Sequence, residues 1–208
     1  MYTIIIAIIL SYLLGAIPFG YLVGKLWSGV DVREHGSQNI GFTNVLRVVG
    51  RVPGAIVLIL DIGKGVAAVL GIARLGVVHP EILPILCGIA AIIGHNWPVY
   101  LKFKGGKGVA TTIGAFIALT PAATLISITV WFITVWLTRY VSLGSILFVI
   151  CLPITVSVLG YIAGWNTHTT ALLACAVLVA ILATYRHKSN IARLLNGTER
   201  KIGQKENH

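Results

Sequence analysis

Three stretches of this 208-residue chain combine glycine, neutral hydrogen-bonding side chains and basic groups in patterns suited to anions. The first runs Gly36-Ser37-Gln38-Asn39-Ile40-Gly41-Phe42-Thr43-Asn44 and continues to Arg47. Glycines let a backbone approach a ligand closely, Ser, Thr and Asn supply neutral donors, and an arginine fork grips phosphate or carboxylate in two places. The same composition also suits a surface turn whose Asn and Ser cap a helix from Val45 onward.

The second stretch, Lys104-Gly105-Gly106-Lys107-Gly108-Val109-Ala110-Thr111-Thr112, is a glycine-rich turn leading into a helix N-terminus. Unsatisfied N–H groups of a first helical turn, the positive end of the helix dipole and two ammonium groups together favour phosphate. The spacing is not the G-x-x-x-x-G-K-[ST] of a nucleotide-hydrolysing loop. A basic flank to a membrane span would want the lysines but not three glycines.

In the third stretch, Arg186, His187, Asn190 and Arg193 recur at intervals of three, four and seven, which places them on one face if the last helix continues past Tyr185. His187 can act as a general base or as a hydrogen-bond partner for a hydroxyl, although basic residues at the end of a last helix are also ordinary topology signals. The six acidic residues form no cluster suited to magnesium or calcium, so no metal is expected. No G-x-S-x-G elbow occurs, and no histidine is followed by aspartate five residues later. Cys87, Cys151 and Cys175 lie in apolar runs and read as small core residues.

These stretches must be positioned by elements living in lipid. With 57% apolar residues, 11% charged residues and a mean hydropathy of +0.91, the chain needs bilayer as its main solvent. The expected fold is an all-α, polytopic membrane bundle forming a single domain over residues 1–208. Apolar runs cover Thr3 to Leu26, Pro53 to Ala73, Ile82 to Tyr100, Val109 to Thr120, Ala122 to Leu137, Leu143 to Ala163 and Thr169 to Tyr185. A short segment with Arg74, His79 and Pro80 joins the second and third runs.

Seven crossings, with the N-terminus outside and the C-terminus cytoplasmic, put nearly every loop Lys and Arg inside and leave only Arg74 outside. The fourth run is short, and a version with five crossings and a re-entrant hairpin over Val109 to Leu137 keeps the same ends. Asp61 and Lys64, at i and i+3 within the second run, read as a self-compensating pair that either supports the site or is structural. His95 is read either as a partner for the loop beyond it or as a satisfied core histidine. The net charge of +10 follows from membrane topology and anionic lipid, and no nucleic-acid partner is expected.

Taken in order, Gly36 to Arg47, Phe103 to Thr111 and Arg186 to Glu199 resemble the signature of the bacterial acyl-phosphate:glycerol-3-phosphate acyltransferase family. The likeness extends to Tyr12 through Gly20 and to Gly94-His95-Asn96-Trp97-Pro98, and so covers almost the whole chain. Gln38, Phe42 and Ser189 depart from residues common in that family. The resemblance implies transfer of a fatty acyl group from acyl-phosphate to the 1-hydroxyl of glycerol 3-phosphate. The products are 1-acyl-glycerol 3-phosphate (lysophosphatidic acid) and inorganic phosphate, at the entry to phospholipid synthesis.

It implies a multi-pass protein of the bacterial inner membrane facing the cytoplasm, with no cofactor. Its partners are membrane lipid, the two substrates and an upstream transacylase that forms acyl-phosphate. Ser37, Arg47, Lys107, His187 and Asn190 are then expected to be catalytic. Gly36, Asn39, Gly41, Thr43, Asn44, Lys104, Gly105, Gly106, Gly108 and Thr111 are expected to bind substrate. The main rival is a small organic-phosphate transporter, whose polar residues would lie near the bilayer midplane rather than in loops; a non-catalytic lipid-binding or assembly protein is the other.

Overall fold

The computed structural model describes residues 2–75 and 81–204, so His79, Pro80 and His208 lie outside the described residues. It is helical, with no strand among the described residues. The helices are α1 (Tyr2–Ala16), α2 (Phe19–Ser28), α3 (Phe42–Val48), α4 (Arg51–Leu70), α5 (Leu83–Asn96), α6 (Val109–Leu119), α7 (Pro121–Thr138), α8 (Val141–Ala163), α9 (Thr167–Arg186) and α10 (Lys188–Leu195). Each apolar run of the sequence is found as helix. Six helical segments are long and apolar enough to cross a membrane, while α6 has 11 residues and is shorter than a full span. Large apolar side chains such as Ile59, Phe132, Trp136 and Ile154 face outward, as lipid-facing positions require.

Two compact units divide the chain, Met1–Leu119 and Thr120–His208. The first is built on close helix approach. On α1, Ala7, Ser11 and Gly15 form a buried stripe of small residues four apart. The stripe packs on α5, where Gly94 comes so near that a Cβ there would lie 2.8 Å from the backbone nitrogen of Ala16. The α4–α6 contact uses the same device, since a Cβ on Gly65 would lie 2.7 Å from the nitrogen of Ala115. Small residues at such crossings replace the hydrophobic drive that lipid cannot supply.

Pro18 splits the first apolar run, because its ring removes a donor and restricts Ile17 before it. The run expected as one helix is therefore two, with the Ile17 carbonyl released at the break. In the second unit, α8 packs against both α7 and α9. Ser127 and Thr155 hydroxyls meet at 3.2 Å between α7 and α8, and Asn166 caps α9 by accepting the Thr169 N–H at 2.8 Å.

Replacing Gly94 with valine is expected to destabilise the first unit by about 1–3 kcal/mol through overpacking. Thermal unfolding in detergent would show this as a lowered midpoint, whereas Val at Gly63, where a Cβ meets open space, is expected to leave the midpoint unchanged.

Candidate functional site

Within the first unit, the Gly36–Arg47 stretch is a loop folded around one side chain. Asn44, 1% exposed, accepts the Ser37 N–H at 2.8 Å through its side-chain oxygen. Its amide nitrogen donates to the carbonyls of Val32 at 2.8 Å and His35 at 3.2 Å. The Asn44 amide is therefore a scaffold for the loop that carries Ser37. Gly36 has φ +62°, and a Cβ there would press on Val48 at 2.9 Å and on Asn44. Asn39 accepts the Gly41 N–H at 2.8 Å, an Asx turn that delivers the chain to α3.

That helix starts at Phe42, three residues before the Val45 start expected of a capped turn, with Gly41 rather than Asn or Ser at its N-cap. Thr43 and Arg47 are half-buried on it, and Ser37 is exposed. Gln38 adopts φ +57°, the left-handed region where glycine is at ease, which is the physical content of its departure from the family pattern. Beside the loop, Asp31 accepts from Arg33 at 2.6 and 2.9 Å, and Arg33 stacks on Tyr21 at 4.5 Å. The Arg33 hydrogen bond, opposed by desolvation, holds the Asp31 carboxyl down to about 2.

The glycine-rich turn lies over the end of α5. Lys102 and Phe103 both take left-handed backbone conformations, φ +50° and +63°, which fold the chain back so that Gly106 N–H donates to the His95 carbonyl at 3.0 Å. The Gly106 amide thereby fastens the turn to the end of α5. A Cβ on Gly108, φ +80°, would lie 2.7 Å from the Asn96 side-chain oxygen, and one on Gly105 would lie 2.7 Å from the Asn96 carbonyl. The glycines are thus required first by this close approach. Lys104 is exposed, Lys107 half-buried, and Thr111 buried in α6.

Asn96 is 1% exposed, with both side-chain amide atoms lacking a protein hydrogen-bond partner, as do the buried hydroxyls of Thr111 and Thr112. Unpaired buried polar groups are rare enough to mark a place of interest, and sequence reasoning passed over Asn96 although it lies in the Gly94–Pro98 segment. One apolar cluster, formed by Val32, Ile40, Val45, Val57 and Leu101, ties both loops to α4.

Below the glycine-rich turn, Asp61, Lys64 and His95 form a buried ionic chain. Lys64 Nζ lies 2.7 Å from Asp61 Oδ1 and 2.9 Å from His95 Nδ1, and it donates to the released Ile17 carbonyl at 3.2 Å. Both expected roles coincide in His95, whose ring joins the ionic chain while its backbone carbonyl holds the loop. His95 Nδ1 lies 2.9 Å from Lys64 Nζ and 3.5 Å from Asp61 Oδ1, while Nε2 is the atom that a Cβ on Gly106 would meet first.

In the second unit, His187 ends α9 and Lys188 starts α10, so the last helix does not run on unbroken as the one-face reading supposed. At the break, where His187 has φ −94° and ψ 6°, the Ala183 carbonyl takes both the backbone N–H of His187 at 3.0 Å and its Nδ1–H at 2.7 Å. Since a carbonyl only accepts, Nδ1 carries a proton and the ring is fixed with Nε2 on its far side. Asn190 is buried, and its amide nitrogen donates to Glu199 at 2.7 Å. Glu199 also accepts from Ser142 and from Arg193, each at 2.7 Å. Burial opposes its charge, but the Ser142, Asn190 and Arg193 hydrogen bonds outweigh that, and its pKa lies below the ordinary 4.5.

Residues 5–197 match a family model described as glycerol-3-phosphate acyltransferase. The chain is 48% identical over 204 residues to a glycerol-3-phosphate acyltransferase of Desulforamulus reducens, covering 98% of each chain. It is also 48% identical over 196 residues to one of Halalkalibacterium halodurans, covering 94% of each. Among solved structures it is similar to PlsY (YgiH), an integral membrane glycerol 3-phosphate acyltransferase, in its glycerol 3-phosphate form. That likeness has a TM-score of 0.85 and 38% identity, and covers 96% of each chain. The lysophosphatidic acid form of that protein matches with a TM-score of 0.82.

Two outcomes follow. Lys64→Met leaves Asp61 buried without its cation and is expected to lower stability by about 3–5 kcal/mol, whereas Asp61→Leu combined with Lys64→Met recovers most of the loss in thermal unfolding. Because the folded-state pKa of Glu199 is depressed, its contribution is complete above pH 4.5 and is lost as pH falls through the lowered value. Hydrogen exchange over 186–204 is therefore expected to stay flat from pH 8 to 5, after correction for intrinsic rates, and to accelerate only in stronger acid.

Proposed function

From the premise that the chain belongs to the glycerol-3-phosphate acyltransferase family, we propose that it moves a fatty acyl group from acyl-phosphate to the 1-hydroxyl of glycerol 3-phosphate, yielding lysophosphatidic acid and inorganic phosphate. The observation that carries the reading is the glycine-rich turn pinned over His95 and Asn96, with Lys104 and Lys107 beside the first turn of α6. A phosphate-bearing pair of substrates, one with a chain soluble only in lipid, matches basic loops joined to apolar helices.

The hydroxyl oxygen attacks the acyl carbonyl, the new ester C–O bond forms, and the bond from the carbonyl carbon to the phosphate oxygen breaks. Phosphate departs as an already activated leaving group, so no covalent enzyme intermediate is required. Lys104, Lys107, Arg47, Ser37 and Thr43 supply donors to phosphate and to developing oxyanion charge. Gly36, Asn39, Gly41, Asn44, Gly105, Gly106 and Gly108 set the loop paths that hold those donors, and Thr111 lies buried at the start of α6. His187, its ring oriented through Nδ1, is suited to take the hydroxyl proton, a task the substrate's own phosphate can share.

In this reading the loops face the cytoplasm of a bacterial inner membrane, where an upstream transacylase supplies acyl-phosphate. The reading against organic-phosphate transport rests on where the candidate groups lie: the Lys104–Thr111 turn and the Ser37 loop connect helices and do not interrupt them.

Purified protein given labelled glycerol 3-phosphate, with either acyl-phosphate or acyl-coenzyme A and no added metal, is expected to form lysophosphatidic acid from acyl-phosphate alone. Lys107→Ala is expected to lower kcat/KM by about 100-fold or more, in line with loss of a charged group acting on the transition state. Near-normal activity in that variant defeats the assignment, and absence of product from either donor in folded wild type defeats the reaction.

A further inference from the structure

A groove in the second unit contains none of the residues assigned to acyl transfer. It encloses about 410 Å³ beside the turn between α7 and α8, with Arg139, Tyr140, Lys201, Ile202 and Gln204 among its walls. Arg139 ends α7 with φ +64°, and its carbonyl accepts the Ile202 N–H at 2.8 Å. The Lys201 ammonium lies 5.4 Å from the centre of the Tyr140 ring, and the Lys201 backbone N–H donates to Gln204 Oε1 at 3.2 Å. These contacts set two cations that are distant in the sequence on the walls of one groove.

The acidic group on the groove is Glu199, and its charge is met inside the unit. It is 8% exposed, its Oε2 accepts from Arg193 Nε, and its Oε1 accepts from Ser142 and Asn190. Arg139 and Lys201 are exposed, so the charge that the groove presents outward is positive.

The groove lies at the ends of two segments long and apolar enough to cross a membrane, Pro121–Thr138 and Val141–Ala163. A short turn between two such spans falls in the headgroup layer, and Trp136, exposed one turn before Arg139, is a side chain favoured there. Ile133, Trp136 and Leu137 share one face of α7 and are all exposed, which continues an apolar strip from the turn towards the hydrocarbon. A free anion would use the two cations alone, whereas a phospholipid would use both the cations and the strip. We propose that this groove binds the phosphate headgroup of an anionic phospholipid from the surrounding bilayer, with the acyl chains along α7. A guanidinium can take two phosphate oxygens at once, and an ammonium beside it adds charge.

The test titrates the purified full chain in neutral detergent with phosphatidylglycerol, phosphatidylcholine or inorganic phosphate, and reads binding by native mass spectrometry. Wild type is expected to hold phosphatidylglycerol at least about tenfold more tightly than phosphatidylcholine. Arg139→Gln combined with Lys201→Gln is expected to weaken phosphatidylglycerol about tenfold or more. Lys25→Gln combined with Arg51→Gln removes the same charge from the first unit and is expected to change the affinity by less than about threefold.

Equal loss in both pairs, or loss in neither, overturns the inference. Inorganic phosphate displacing the lipid at equal concentration also overturns it, and assigns the groove to a free anion. Should the groove pair not fold, the single variants decide. A loss of about threefold or more in each of Arg139→Gln and Lys201→Gln keeps the inference, and wild-type affinity in either overturns it.

Discussion

A lysine and an aspartate with almost no exposure, inside an apolar helix, constrain everything around them. Asp61 and Lys64 lie one turn apart on α4 and neutralise each other at 2.7 Å. An ammonium keeps three donors, and in a lipid-facing bundle each needs an acceptor. Lys64 Nζ also reaches two different elements, donating to the Ile17 carbonyl at the α1–α2 break and lying 2.9 Å from Nδ1 of His95 on α5. One charge pair therefore draws on the helix break that Pro18 makes and on the approach of a second helix. The small residues of α1, α4, α5 and α6 make the approach geometrically open.

That constraint reaches the candidate site through His95. Its ring is held by Lys64, and its backbone carbonyl holds Gly106, so the path of the glycine-rich turn is referred to the centre of the unit and not to solvent. Asn44 does the corresponding work for the Ser37 loop, with its whole amide used internally. In both loops one set of polar groups fixes the backbone and a different set, Ser37, Lys104 and Lys107, is placed at or near the surface.

Composition made the helical membrane class legible, and the apolar runs matched helices within a few residues because lipid leaves few other ways to satisfy a backbone. The three motifs stood out as candidates for chemistry from residue types alone. What they would do locally did not. Asn44 and Asn39 both read as ligand donors, and only tertiary contacts show each folding its own loop. Glycines 105, 106 and 108 read as amides offered to phosphate, while space against His95 and Asn96 is their first requirement. Spacing also suggested an unbroken last helix, and no pattern in it marks His187 as the residue at which α9 gives way to α10. Glu199 gave no signal beyond ending a motif, since its partners Ser142 and Asn190 lie 57 and 9 residues away.

Anion recognition in such a site has to come from donors fixed before the ligand arrives. A loop that reorganised around phosphate would lose binding free energy to ordering, of the order of 1–2 kcal/mol for each residue fixed. The left-handed residues Gln38, Lys102 and Phe103 are informative here, because non-glycine residues hold such conformations only where surrounding contacts over-determine them. They occur next to Ser37 and Lys104, and the other such residue among those described, Arg139, ends α7. Local strain at the loops, held in one by hydrogen bonds that lead back to a buried charge pair and in the other by the Asn44 amide, is the arrangement expected when geometry at the surface must survive without the ligand.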